Sequence, residues 1–242
     1  VQSKMGIGDT IIFLPFIKAL SKKFNSRISI LVKENSKANQ YLHQTNYIDK
    51  ILILERDNKI NNRHDGFFGI FNLVSDLKKH KFDKIFIFNS SLRFNLIAKI
   101  SGIPKIYQYP LFSKTKQHIT GVPKKFLKKN LDLDVNEDPE IQINNELISK
   151  AAQKFQIDKN KVNILLGIGG SGPTKRVPAK TFLNVIDKIS NIKNCKFFLA
   201  TGKTNEEQEI LNEILLSKFK NFCTRLDNLP ISEILPLIKN CN

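Results

Sequence analysis

The sequence predicts an α/β fold built from parallel sheets and divided into two units. Three observations carry this reading. Short β-branched apolar runs alternate with stretches of helical periodicity, the pattern of strands joined by helical crossovers. Glycine-bearing turns stand ahead of helix-like sequence at residues 5–10 and 167–178, about one domain apart. The chain has 242 residues, enough for two compact units that each bury a core.

The strand candidates are residues 27–32 (RISILV), 50–54 (KILIL), 84–88 (KIFIF), 163–166 (NILL) and 196–200 (KFFLA). Each is short and continuously apolar at its centre, as expected of a strand covered on both faces. The first helix is expected over residues 9–24, where Phe13, Phe16, Ile17 and Leu20 recur at helical spacing and Pro15 lies early enough to be tolerated. Further helices are expected over 66–80 and 92–101. In the second half, Thr204 and Glu207 have the spacing of a capping box, and Ile210, Leu211, Ile214 and Leu215 follow as one apolar face. Between residues 110 and 160 the rhythm weakens into polar and basic sequence, which reads as a linker. The boundary is placed near Asp158, giving units 1–158 and 159–242.

Composition narrows the functional classes. No apolar run approaches the roughly 20 residues of a membrane-spanning helix. The chain opens at Val1 without the basic-then-apolar order of a signal peptide, so it reads as an interior start. Cys195, Cys223 and Cys241 lack the spacing of a zinc or redox site, and a reducing cytoplasm fits them. His43, His64, His80 and His118 are scattered, so no metal is expected and each reads as a surface residue. Net charge is +17, which favours anionic partners. The Lys residues are nevertheless dispersed among Asn and Ile rather than gathered in a stripe, and no aromatic-interleaved basic motif supports nucleic-acid binding.

Two loops carry candidate chemistry. In residues 5–10 (MGIGDT), Gly6 and Gly8 permit close backbone approach, and Asp9 falls at a helix N-terminus, where a carboxylate is favoured. Such a carboxylate serves either as a helix cap or as a general base, and spacing alone favours the cap. A dinucleotide fingerprint is a weak match, since Ile11 stands at its third glycine. In residues 167–178 (GIGGSGPTKRVP), glycines expose backbone N–H groups, Ser171 adds a hydroxyl, and Lys175 and Arg176 add charge ahead of Pro178. That is an anion cradle without the spacing of a Walker A loop, and a plain flexible turn is the competing account.

Together these loops resemble the ADP-heptose:lipopolysaccharide heptosyltransferase family, glycosyltransferase family 9. Residues 8–15 (GDTIIFLP) match its Gly-Asp followed by an apolar helix containing Pro. Residues 165–178 match its strand, small-residue turn and Lys-Arg-Trp-Pro, with Val177 in place of Trp. Residues 82–93 (FDKIFIFNSSLR) resemble its strand leading into a polar turn and a helix.

The resemblance implies a GT-B type fold of two Rossmann-like domains with parallel sheets, the first holding the acceptor and the second the nucleotide sugar. It also implies an inverting, metal-independent transfer with no cofactor. On that analogy Asp9 is the base that deprotonates the acceptor hydroxyl, and Lys175 stabilises charge on the departing diphosphate. Gly170, Ser171 and Arg176 would share the donor phosphates. Glu206 is the candidate for ribose or base, with Glu207 as the capping-box partner. Gly6, Gly8, Ser90 and Arg93 would form the acceptor side.

The implied partners are a nucleotide-sugar donor, ADP-heptose, and an anionic lipid-linked saccharide. A cytoplasmic enzyme touching the inner face of the inner membrane is expected, without nucleic acid. The sequence stops ahead of the family's Asp-[Ser/Thr]-Gly-x-x-His segment, so the second domain is expected to be incomplete and the chain a fragment trimmed at both ends. The alternative is a non-catalytic nucleotide-sugar-binding module on the same fold.

Overall fold

The computed structural model describes residues 1, 6–56, 62–111, 118–170 and 176–242. Two compact units result, Val1–Gln142 and Ile143–Asn242.

In the first unit, α1 (Ile7–Phe24) is followed by β1 (Ile28–Lys33) and β2 (Ile48–Leu54), which pair in parallel with Ile30 opposite Ile51 and Lys33 opposite Leu54. Next come α2 (Phe68–Lys78), β3 (Lys84–Ile87), α3 (Leu92–Ile100) and β4 (Lys105–Gln108), with β3 and β4 parallel. The last helix of this unit is α4 (Gly121–Leu131). The main chain of Val1 lies alongside β3, donating to the Phe86 carbonyl and accepting from the Phe88 N–H.

Side chains alternate along β3 as strand geometry requires. Ile85 and Ile87 pack with Leu73, Leu77, Phe94 and Ile97 of α2 and α3, whereas Phe86 and Phe88 pack with Phe13, Phe16 and Leu20 of α1 and Phe126 and Leu127 of α4. Phe88 meets Phe13 edge-on with ring centres 5.2 Å apart, and Phe126 edge-on at 5.6 Å. A cavity of about 480 Å³ lies within this unit, lined by residues of α1, β1 and β3, with Val1 at its wall.

His64, expected at the surface, is only 3% exposed. Its Nδ1 accepts from the Glu55 N–H at 3.0 Å, and Nε2 lies 3.1 Å from Asp76 Oδ2. Asp76 also binds the Arg63 guanidinium and, at 3.0 Å, the Lys79 ammonium. The Arg63 hydrogen bond, aided by Lys79 and His64, holds the Asp76 carboxyl well below the ordinary carboxylate range. This depressed pKa contributes stability that is complete above the unfolded carboxylate value and lost as pH falls through the folded one. Asp76→Asn is expected to destabilise the first unit by about 1–3 kcal/mol at neutral pH. Urea unfolding monitored by circular dichroism checks this, together with a smaller difference between the two proteins in acid.

The second unit opens with α5 (Asn145–Lys154) and continues through β5 (Val162–Ile168), α6 (Ala179–Ser190), β6 (Cys195–Thr201), α7 (Asn205–Leu215), β7 (Cys223–Asp227) and α8 (Ile231–Ile238). Its sheet has the order β5-β6-β7, all parallel. Phe197 and Leu199 of the central strand face α6 and α7, and Phe198 faces Ala151 and Phe155 from the α5 end and Leu237 of α8.

The division falls ahead of α5, not near Asp158. The cause is that Ala151 and Phe155 complete the layer on the Phe198 face, which makes α5 part of the second core. Two stretches read as linker are therefore helical, since α4 buries Phe126 and Leu127 beneath its Lys residues and α5 buries Ala151. Among the described residues no helix is long and apolar enough to cross a membrane, and no group of His, Cys, Asp and Glu is placed to hold a metal ion.

Candidate active site

In a parallel α/β unit, loops leaving the C-terminal ends of the strands gather at one sheet edge, the usual seat of a ligand. In the first unit the ends of β2 and β3 are linked where Arg93, at the start of α3, reaches the His64 and Gly66 carbonyls beside Arg56. Val1 stands at the close of β3, its carbonyl accepting from the Phe88 N–H.

Gly6 is the N-cap of α1, with no side-chain cap bond. Asp9 therefore sits in the first turn rather than at the cap, half-buried, and among the described residues no hydrogen-bond or ion-pair partner faces its carboxylate. Thr10 behind it is buried and donates its hydroxyl to the Gly6 carbonyl at 2.7 Å, tying down the turn. A Cβ built on Gly6 or Gly8 meets none of the described residues within 4 Å. Tyr41 is buried, and burial pushes its phenol up to about 12.

Ser90 stands exposed on a turn where Asn89 Oδ1 accepts from the Ser91 N–H at 3.0 Å, and Gln108 Nε2 donates to the Asn89 and Ser91 carbonyls. Arg93 lies in the first turn of α3 and donates to the Gly66 and His64 carbonyls, both at 2.7 Å. Burial, then the neighbouring Arg56, lowers its pKa. Its guanidinium thus fastens α3 to the segment ahead of α2, and Arg56, which the sequence reading passed over, adds a second guanidinium to this edge. Arg56 was not legible because it follows β2 without a motif, and only the fold brings it beside Arg93.

In the second unit the corresponding edge carries Gly169 and Gly170 after β5, Gly202 after β6 and Asp227 at the end of β7. Ser171 and Lys175 lie outside the described residues, so the geometry concerns Gly170, Arg176 and Glu206. Arg176 and Glu206 are brought together, with Nη1 3.4 Å from Oε1. The first-turn backbone N–H and the Arg176 charge lower the Glu206 pKa. Pro178 is the N-cap of α6.

Thr204 caps α7, accepting from the Glu207 N–H, which is half of a capping box. The Glu207 carboxylate turns inward instead of completing that box. A Cβ on Gly169 would lie 2.3 Å from its Oε1, and one on Gly202 would lie 2.4 Å from its Oε2. Both glycines are therefore needed to admit a buried carboxylate, whose Oε2 has no partner among the described residues.

Asp227 receives Thr201 Oγ1 at 3.0 Å, Gln208 Nε2 at 3.3 Å and the Arg225 guanidinium, while Arg225 also donates to Gln208 Oε1 at 2.8 Å. Burial raises the Asp227 pKa, but these donors outweigh it and the net shift is downward. The edge thus combines backbone freed by glycine, one Arg beside Glu206, an inward carboxylate and a fixed polar network. This arrangement suits the hydroxyls and phosphates of a nucleotide.

The family model for glycosyltransferase family 9 (heptosyltransferase) matches residues 70–242. No curated protein is significantly similar in sequence. Among solved structures, 98% of the chain superposes on 72% of the glycosyl transferase family 9 protein from Veillonella parvula DSM 2008, with TM-score 0.78 and 18% identity. E. coli ADP-heptose lps heptosyltransferase II matches with TM-score 0.69 and 15% identity, over 99% of this chain and 76% of that one. E. coli heptosyltransferase WaaC with ADP matches with TM-score 0.64 and 10% identity, over 99% of this chain and 78% of that one. At these identities the likeness shows the fold, an α/β architecture of GT-B type.

Proposed function

Because the chain belongs to glycosyltransferase family 9, the heptosyltransferase family, we propose that it moves a heptose from ADP-heptose to an anionic lipid-linked saccharide, with inversion and without a metal. The observation that carries this reading is Asp9, an acid in the first turn of α1 that is not spent as the helix cap and that, among the described residues, has no hydrogen-bond or ion-pair partner. As the acceptor hydroxyl attacks the anomeric carbon, its proton passes to an Asp9 carboxylate oxygen. The bond from that carbon to the diphosphate oxygen breaks on the opposite face, so one displacement inverts the centre. The electron pair leaves with ADP. Lys175, Arg176, Ser171 and the Gly170 N–H are assigned to the charge that grows on the diphosphate, in place of a metal. Glu206 holds the nucleoside end, while Ser90 and Arg93 with the Gly6 and Gly8 loop bound the acceptor side. The donor assignment takes support from the ADP carried by the E. coli heptosyltransferase of the same fold.

The test is transfer from ADP-heptose to a phosphorylated core saccharide, run beside UDP-sugars and in the presence of EDTA. ADP release with a product of inverted anomeric configuration, undiminished by EDTA, is expected. Loss of turnover in EDTA removes the metal-independent reading, and preference for a UDP-sugar removes the donor. Lys175→Ala is expected to lower kcat/KM by about 10²-fold; steady-state kinetics with ADP-heptose checks this, and unchanged constants would leave Lys175 no phosphate role.

A further inference from the structure

At the C-terminal edge of the second sheet, two adjacent carboxylates of α7 stand in opposite circumstances. Glu207 is 8% exposed and wedged between the turns after β5 and β6, where Gly169 and Gly202 leave it room. It cannot move without opening that packing. Glu206, one residue earlier, has a side chain 57% exposed that reaches across to Arg176. Its carboxylate also lies on the first-turn N–H of α7, a favourable place for negative charge whether or not Arg176 stands beside it.

Arg176 is the less satisfied member of this pair. Its side chain is only 22% exposed, and its Nε is buried without a partner among the described residues. A guanidinium offers five donors, and burying one unused costs free energy. The contact with Glu206 engages Nη1 at 3.4 Å, longer than the roughly 2.7–2.9 Å of a charge-assisted hydrogen bond. The guanidinium is therefore held ready for an anion with more oxygens and better reach than this one carboxylate, and a phosphate has that shape. Losing Arg176 to such an anion costs Glu206 little, because the helix start still supports its charge.

We propose that the Arg176–Glu206 pair is an exchange device by which the site discriminates a nucleoside diphosphate from a bare nucleoside. Without a phosphate, Arg176 holds Glu206 away from the ligand. A phosphate oxygen takes over Arg176, and the freed Glu206 carboxylate accepts from the nucleoside hydroxyls. One pair of side chains thereby couples the two ends of the ligand. This rests on the reading that the second unit binds a nucleoside diphosphate, and it adds that Glu206 serves the nucleoside only once Arg176 is taken.

Titration calorimetry of the full chain with ADP and with adenosine tests the exchange. Arg176→Gln is expected to lower the affinity for ADP about tenfold or more. The same variant is expected to raise the affinity for adenosine about twofold to fivefold, the weight of an exposed ion pair that no longer competes. Adding Glu206→Gln to Arg176→Gln should abolish that gain. Arg176→Met, which keeps an unbranched stem in place, serves if Arg176→Gln does not fold. Weaker ADP binding with no gain for adenosine would make Arg176 a plain phosphate contact, overturning the exchange while leaving nucleotide binding intact. A gain for adenosine that survives Glu206→Gln overturns it as well. If the unchanged chain binds no ADP, the nucleotide reading of the second unit falls and the exchange falls with it.

Discussion

Asp9→Ala is expected to lower turnover by about 10² to 10⁴, the usual contribution of a positioned general base, while donor binding stays close to that of the unchanged chain. The separation of effects follows from where Asp9 sits. Gly6 caps α1 and Thr10 fastens the turn through its hydroxyl, so neither structural task falls to the Asp9 side chain. What the helix gains from a carboxylate in its first turn is about 0.3–1 kcal/mol, which is small beside the kinetic loss. Asp9→Asn keeps the shape and removes the basicity, so it should fall as far as Ala. Steady-state rates beside thermal melts of both variants check this. Turnover within a few-fold of the unchanged chain would remove Asp9 as the base, and a matching collapse in stability would show that the residue holds the fold instead.

Phe197→Ala is expected to destabilise the second unit by about 3–5 kcal/mol. Phe197 is fully buried in β6, the central strand, among Ile168, Ile186, Leu199, Leu211 and Ile214. Parallel neighbours hold β6 on both sides and helices cover both faces, so the space vacated by the ring has little room to collapse. The loss should reach the edge proposed to hold the donor, because β6 leads into Gly202 and the start of α7, where Glu206 and Glu207 stand. Urea unfolding should show an early transition for the second unit, with ADP retention lost at the same denaturant concentration. A change under about 1 kcal/mol would mean that the core repacks around the gap.

The strands expected at 27–32, 50–54, 84–88, 163–166 and 196–200 correspond to β1, β2, β3, β5 and β6. They were legible because a strand covered on both faces must be apolar along its length. α7 was legible for a different reason, a local cap, and Thr204 does accept from the Glu207 N–H. β4 and β7 escaped notice because each is short and polar in sequence, with Lys105 and Gln108 at the ends of β4 and Thr224, Arg225 and Asp227 in β7. α4 escaped because four Lys residues surround the pair Phe126 and Leu127, and their burial depends on Phe88 and Tyr109 from distant parts of the chain.

The sequence by itself determined the alternation of strands and helices, the family likeness and the two glycine-bearing loops, since these depend on residue type and near neighbours. Only the tertiary structure decided that α5 belongs to the second core, that His64 is buried against Asp76 and that Glu207 turns inward between Gly169 and Gly202. It also decided that Arg176 meets Glu206 and that Arg56 meets Arg93. These contacts join residues from different elements, and their energies depend on burial and charge that no local stretch of sequence records.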